Sequence, residues 1–392
     1  ERSLRSGEVA AVGRGRCGRV RSLRSGAPGG YRAGMASPRQ VPRNRTHPGT
    51  GCGDGPVDVR FSGPYPHATR PLVLAVGLVT VDVVHRVDRL AGSDEKVVGH
   101  DQRIEPGGPA ANAARVAAML HDGLQNEPHS EPHGTPLGDA YDRPHESARL
   151  LAPFGRSPLR PVLARSLRDA GVSWHDPRSH VPHEAPVSSI LVEPSGARAV
   201  VSGGAPSLPA TARLGRHTVE RLLADVGAVL VDGHALPYAL AVARAARERG
   251  IPVVFDGGSA KPGTRELLAH VDLAILSAAF RAPGGGDPLD WVQAAGVALV
   301  ARSDGPRPVH ARIGARRIRI PVPHVPVVDT TGAGDVLHGA AAQAVALLGL
   351  TPATVPDILR YAVQIASQSC AHAGVTLRGN PLKINLDQFL RW

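Results

Sequence analysis

The chain has 392 residues, of which 42% are hydrophobic and 20% charged, a globular composition with enough length for one large domain or two ordinary ones. No run of about 18 apolar residues occurs, which excludes a membrane-spanning helix. Three scattered cysteines, Cys17, Cys52 and Cys370, exclude a disulfide scaffold or a cysteine zinc site and point to a reducing, cytoplasmic location. The net charge of +11 is uneven: residues 1–70 hold thirteen arginines against four acidic residues, leaving only +2 for 71–392, too little for a nucleic-acid footprint.

Residues 1–70, rich in Arg, Gly, Pro and Ser and without apolar periodicity, read as a disordered head. Three origins fit it: untranslated sequence carried into the gene model, an Arg-rich targeting segment, or a basic arm for nucleic acid. Ordered sequence begins at Pro71. Leu72–Gly77 is a short apolar run ending in Gly, a buried strand. Glu95–Pro106 mixes polar and β-branched residues and predicts exposed strands, and Gly107–Leu120 opens on two glycines and continues as an Ala-rich helix. Residues 121–147 then turn polar, with several His and Pro. This stretch reads as an inserted surface loop rather than a metal cluster, because His121, His129, His133 and His145 lack a rigid scaffold.

Strands and helices alternate thereafter. A helix is expected over Ser157–Gly171, a hairpin over Val187–Ser202, and strands at Gly227–His234, Ile251–Gly258, Leu273–Ser277 and Val297–Arg302. Helices are expected at Leu236–Gly250 and Asp287–Ala295, a second hairpin at Val309–Pro321, and two closing helices near Ala333–Leu348 and Thr354–Ala373. Repeated βαβ units with apolar strands predict an α/β fold with a doubly wound sheet.

The sharpest chemical signal is Val325–Gly349, where a β-rich run leads into Asp329-Thr330-Thr331-Gly332-Ala333-Gly334-Asp335 and then an apolar helix. Small residues let the backbone N–H groups of 332–335 converge at a helix N-terminus, where the dipole favours an anion. Phosphate is the natural ligand, and a carboxylate at Asp335 is placed to take a proton from an attacking hydroxyl. The string is not a P-loop, which needs Lys-Ser/Thr after its glycines.

The string "DTTGAGDVLHGA" resembles the C-terminal signature of ribokinase-like (PfkB) sugar kinases. "PGGPAANAARVAA" (Pro106–Ala118) is similar to the family's Gly-Gly-x-x-x-Asn signature, and "VGLVTVDVVHRVDRLAGSDEKV" (Val76–Val97) resembles its opening strand. The resemblance covers residues 71–392 and implies a Rossmann-like domain with a small β-sheet lid, here near 80–106 and 187–202. It implies Asp335 as catalytic base, and Gly332, Ala333 and Gly334 with the Asp335 amide as the anion hole for the ATP γ-phosphate. It implies Asp82, Gly107, Gly108 and Asn112 as the sugar site, with ATP and Mg²⁺ as cofactors. The chain departs from the family at the Asn-x-x-Glu position, which reads Ser277-Ala278-Ala279-Phe280, and at Thr-x-Gly, which reads Ala301-Arg302-Ser303. Ser277, Arg302 and Gly305 are candidates for the nucleotide site by position, and Cys370 and Gly374 are candidates to border the adenine, with core packing the alternative for Cys370.

Asp232 and Asp256 end adjacent strands, where open α/β sheets bind ligands. Asp256 is a candidate for contact with magnesium-bound water or phosphate, and Asp232 for the sugar or lid. Lys96 and Arg103 fall in the expected lid, and His338 is expected on the same helix face as Asp335. The expected function is ATP-dependent phosphorylation of a sugar, closest in look to ketohexokinase-like and sulfosugar kinases, with a homodimer formed through lid strands. The alternatives are a catalytically weakened sugar- or nucleotide-binding protein and a nucleoside kinase of the same fold.

Overall fold

A computed structural model describes residues 71–123, 146–183, 185–209 and 211–372. The head (1–70), most of the polar insertion and Gly374 lie outside the described residues.

In chain order the strands begin with β1 (Leu72–Val76), β2 (Thr80–Arg86), β3 (Asp101–Gly107), β4 (Ala148–Leu151) and β5 (Val172–His175). They continue with β6 (Val187–Val192), β7 (Arg198–Ser202), β8 (Val226–Val231), β9 (Val253–Gly257) and β10 (Leu273–Leu276). β11 (Leu299–Asp304), β12 (Arg307–Ile313) and β13 (Arg316–Ile320) complete them. The helices are α1 (Pro109–Gly123), α2 (Arg160–Asp169), α3 (Arg216–Leu222) and α4 (Leu236–Glu248). α5 (Thr264–Leu268), α6 (Pro288–Gln293), α7 (Ala333–Leu348) and α8 (Val355–Ser369) follow.

The main sheet has nine strands in the order β13-β12-β11-β10-β9-β8-β1-β4-β5. The seven from β11 to β5 run parallel, and β12 and β13 close one edge as an antiparallel hairpin. β1 alternates its side chains between two cores: Val73 and Ala75 join the layer of α1, α2, α7 and α8, whereas Leu72, Leu74 and Val76 join that of α3–α6. Both faces are covered, as a parallel sheet of apolar strands requires. The chain leaves β1 toward β4 and β5, then returns to β8 on β1's other side, so the order reverses at β1. A ligand crevice opens at such a switch point, beyond the strands' carboxyl ends.

A second sheet, β3-β2-β6-β7, is four-stranded. It leaves the main sheet between β1 and α1, and again between β5 and α3. The fold is ribokinase-like α/β, with one large and one small sheet. Among the described residues no helix is long and apolar enough to cross a membrane.

Three local differences have physical causes. The run before Asp329 is irregular rather than β-strand: Pro321, Pro323 and Pro326 remove ladder donors, and the Val328 and Asp329 amides donate instead to the Cys370 carbonyl. Residues 95–100 make no strand, and pairing begins at Asp101. β4 and β5, four residues each, are too short to display a period and were not legible as strands.

Candidate active site

The segment entering α7 builds a glycine turn at the helix N-terminus. Asp329 Oδ1 accepts from the Thr331 amide at 2.8 Å, and Gly332 then takes φ 72° as the N-cap, a left-handed conformation that a side chain disfavours. Ala333 N donates to Thr330 O and Val336 N to Gly332 O. The Gly334 and Asp335 amides between them have no backbone acceptor among the described residues. Gly334 is exposed, with open space where a Cβ would stand. Two free first-turn donors on an accessible glycine backbone make a cradle that fits a phosphate.

Asp335 lies in that turn and accepts a 2.7 Å hydrogen bond from Asn112 Nδ2 on α1. Burial, reinforced by the neighbouring Asp256 carboxylate, pushes its pKa up to about 7, against the opposing pull of Asn112 and His338. A carboxylate poised there exchanges a proton at neutral pH, which suits a general base. Asp256, at the end of β9, is buried and raised by desolvation. Its Oδ2 lacks a hydrogen bond and instead faces His338 Nδ1 at 3.4 Å.

Asp82 stands on β2, in the small sheet. Thr80 Oγ1 donates to its Oδ1 at 2.6 Å. A Cβ on Gly107 would fall on the Asp82 carboxylate, and one on Gly108 would come 2.6 Å from the Leu78 carbonyl. The two glycines thus let the chain lie flat against both the carboxylate and the end of β1. Arg115 joins this group to the first: its guanidinium donates to Pro106 O at 3.1 Å and Asn112 Oδ1 at 3.3 Å. Burial raises the Asp82 pKa, opposed by Thr80, Ser188 and Arg115.

Asp232 turns to the backbone. It accepts from Leu78 N (2.9 Å), Ala110 N (3.2 Å) and His234 N (2.8 Å). It therefore clamps the β1 exit and the α1 start at the switch point. Ser277 Oγ donates to Gly258 O at 3.1 Å, and Arg302 donates to Ala278 O at 2.9 Å, so both sit at the carboxyl ends of β10 and β11. Phe280 is fully buried against Trp291, an apolar group where the family pattern has an acid. Gly305 occupies the β11–β12 turn. Lys96 and Arg103 are on the small sheet's side, both exposed, with Arg103 paired with Asp101.

The structure thus brings Asn112, Asp335, Asp256 and His338 into one cluster and Asp82, Gly107 and Gly108 into a second, with Arg115 between them. Two connections had no sequence signal: Thr80 on Asp82, and Arg86 at the end of β2, which pairs with Asp329 Oδ2 at 3.7 Å. The second ties the small sheet to the glycine turn before α7.

The described residues contain no cluster of three His, Cys, Asp or Glu able to hold a metal ion. Magnesium is typically held by substrate phosphates and water with one or two carboxylates rather than by a protein cage; Asp256 and Asp335 are the neighbouring carboxylates at this turn that could serve in that way.

An anion cradle at a helix start beside a neutral-range carboxylate, at the switch point of a doubly wound sheet with a small second sheet, defines a phosphotransferase-type site. Residues 70–382 match the model of the pfkB family carbohydrate kinases, and the chain belongs to that family. An ATP-dependent ribose-1-phosphate kinase of Halopiger xanaduensis is 29% identical over 298 residues, 74% of this chain and 88% of that protein. A ribokinase of Arabidopsis thaliana is 22% identical, covering 76% of each chain. Among solved structures, ribokinase of Thermotoga maritima superposes with a TM-score of 0.59 at 19% identity, over 82% of this chain and 99% of that one. The Arabidopsis ribokinase complexed with ribose and ATP gives 0.58 at 21%, over 78% and 94%.

Proposed function

We propose that the protein transfers the γ-phosphoryl group of ATP to a hydroxyl of a sugar. The observation that carries this reading is the pairing of Asp335 with the unsatisfied amides of its own helical turn. In this reading Asp82 and Asn112 hold sugar hydroxyls between the small sheet and the strand ends. The hydroxyl oxygen bonds to the γ-phosphorus, the bond from that phosphorus to the β-bridging oxygen breaks, ADP leaves, and the hydroxyl proton passes to Asp335. The amides of 332–335 stabilise charge on the transferring group. Magnesium bound with the nucleotide would neutralise phosphate charge. Ser277 and Arg302 border the nucleotide, Asp256 supports the phosphate end, and the small sheet acts as a lid that excludes water.

The finer substrate class divides two ways. The "TVD…VDRL…DEKV" opening favours a ketose or sulfosugar, whereas the names of the relatives favour ribose or ribose 1-phosphate. The test is ADP release with Mg-ATP across fructose, sulfofructose, ribose, ribose 1-phosphate and adenosine, with Asp335→Asn as control. One substrate with Asp335-dependent turnover is expected; full activity in Asp335→Asn would overturn the assignment. Phe280 favours a second reading, a weakened sugar-binding protein, for which every substrate would be silent while a sugar still raised the Tm. The lid strands are proposed to pair two copies of the chain, with Ile104, Val200 and Val201 exposed on them; a monomeric mass by light scattering would refute that pairing.

A further inference from the structure

The register of the small sheet sets four polar residues side by side. Glu105 on β3 pairs with Asp82 on β2, Asp82 with Ser188 on β6, and Ser188 with Ser202 on β7. Residues directly opposite each other on antiparallel strands project from one face, with Cβ atoms about 4.5–5.5 Å apart. The rung is connected: Ser188 Oγ hydrogen-bonds the Asp82 carboxylate and lies 3.3 Å from Ser202 Oγ.

Two neighbours in this rung are acids. Like charges directly opposite on adjacent strands destabilise a sheet. Burial raises the pKa of both, and for Glu105 the Asp82 carboxylate adds to the rise against the pull of Arg115. Asp82 has Thr80 and Ser188 as donors. Glu105 accepts no hydrogen bond among the described residues; Arg115 Nη2 stands 4.0 Å from its Oε2. A half-buried carboxylate without donors is costly, and a polyhydroxylated ligand removes the cost, because each hydroxyl brings an O–H to an oxygen that the fold leaves without one.

Glu105 is on the side of the proposed chemistry. Arg115, which approaches it, donates to Asn112 Oδ1, and Asn112 donates to Asp335. The charges acting on Glu105 are Arg115, Asp82, Arg103 and Asp329. Both arginines are turned to acceptors of the protein: Arg115 to Pro106 O and Asn112 Oδ1, and Arg103 to Asp101 at 3.1 Å. This balance does not favour an anion.

We propose that Glu105 is a further sugar-binding and specificity-determining residue: with Asp82 it accepts hydrogen bonds from the hydroxyls of an uncharged sugar, and the two carboxylates turn away sugars that carry a phosphate or sulfonate. The proposal rests on the placing of the sugar at Asp82 given above.

Glu105→Gln keeps the size of the side chain and removes its charge. Two measurements on the full-length protein, both without ATP, test the proposal. At pH 8 without sugar, the variant should melt above the wild type, since it relieves the carboxylate pair. Calorimetric titration with ribose, fructose, ribose 1-phosphate and sulfofructose should find an uncharged sugar bound tightest by the wild type. Its Kd should rise roughly tenfold in Glu105→Gln, the scale of a hydrogen bond to a charged group, while the anionic sugars bind no more weakly than before. A residue that merely supported the sheet would lower the Tm and weaken all four alike. A Tm at or below that of the wild type, an unchanged Kd for the uncharged sugar, weaker binding of the anionic sugars as well, tightest binding of an anionic sugar by the wild type, or binding of none of the four would each overturn the proposal. Neither measurement uses turnover, so a chain that binds an uncharged sugar through Glu105 yet transfers no phosphate would sustain the proposal while defeating the kinase reading.

Discussion

Replacing Asp335 by Asn should stabilise the protein while abolishing turnover, and the gain should depend on pH. Asn keeps the shape of the side chain and an oxygen for Asn112, and removes only the ionisation. Asp335 titrates at about 7 in the folded chain, against an ordinary 3.8. At 1.36 kcal/mol per tenfold in proton affinity, holding the ionised carboxylate in the fold costs about 4 kcal/mol at pH 8.5. A folded-state value raised above the unfolded one gives stability that is fully present below 3.8 and lost as pH rises through about 7. From pH 8.5 to 5 the folded wild type takes up a proton that the unfolded chain does not, and gains about 3 kcal/mol. The variant gains nothing from this group, so its advantage should shrink by that amount. Urea unfolding of both proteins at pH 5, 6, 7 and 8.5 measures the gap. A gap that stays constant with pH would refute the argument, because Asp335 would then be in one protonation state throughout.

Other outcomes follow from the same geometry. In the wild type, kcat/KM should fall about tenfold per pH unit below about 7 as the base is protonated; a flat profile down to pH 5.5 would show that no such base operates. Asp82→Ala should raise the sugar KM at least tenfold, the scale of a lost charge-assisted hydrogen bond of about 1.5–3 kcal/mol, and leave the ATP KM within twofold, read from initial rates with either substrate varied. Gly339→Ala should lower stability by about 1–3 kcal/mol, because its Cβ would collide with Ala113 O across the α1–α7 contact; an unchanged urea midpoint would count against that contact.

Much of this arrangement could be read along the chain. Apolar runs such as Leu72–Val76 and Val253–Gly257 announce buried strands, because a strand covered on both faces needs no alternation. The Asp329–Asp335 string announces the glycine turn that opens α7, because its geometry is local: a left-handed glycine, amides without backbone acceptors and a carboxylate within seven residues. The run before it misled, since its valines suggest a strand while its prolines deny one. His338 was legible as a neighbour of Asp335 on the helix, but its ring contacts were not.

By itself the sequence determined most of the succession of elements, the α/β class and the glycine turn at the start of α7, all properties of spacing over a few residues. Only the tertiary structure decided what each carboxylate does. Asp82, Asp232, Asp256 and Asp335 are alike as letters, yet one meets Thr80, one takes three backbone amides, one faces an imidazole, and one is held by Asn112, 223 residues away in the chain. Periodicity specifies which face of an element is buried. The group that lands opposite it, and with it the charge, hydration and proton affinity of each side chain, is settled only when distant elements pack.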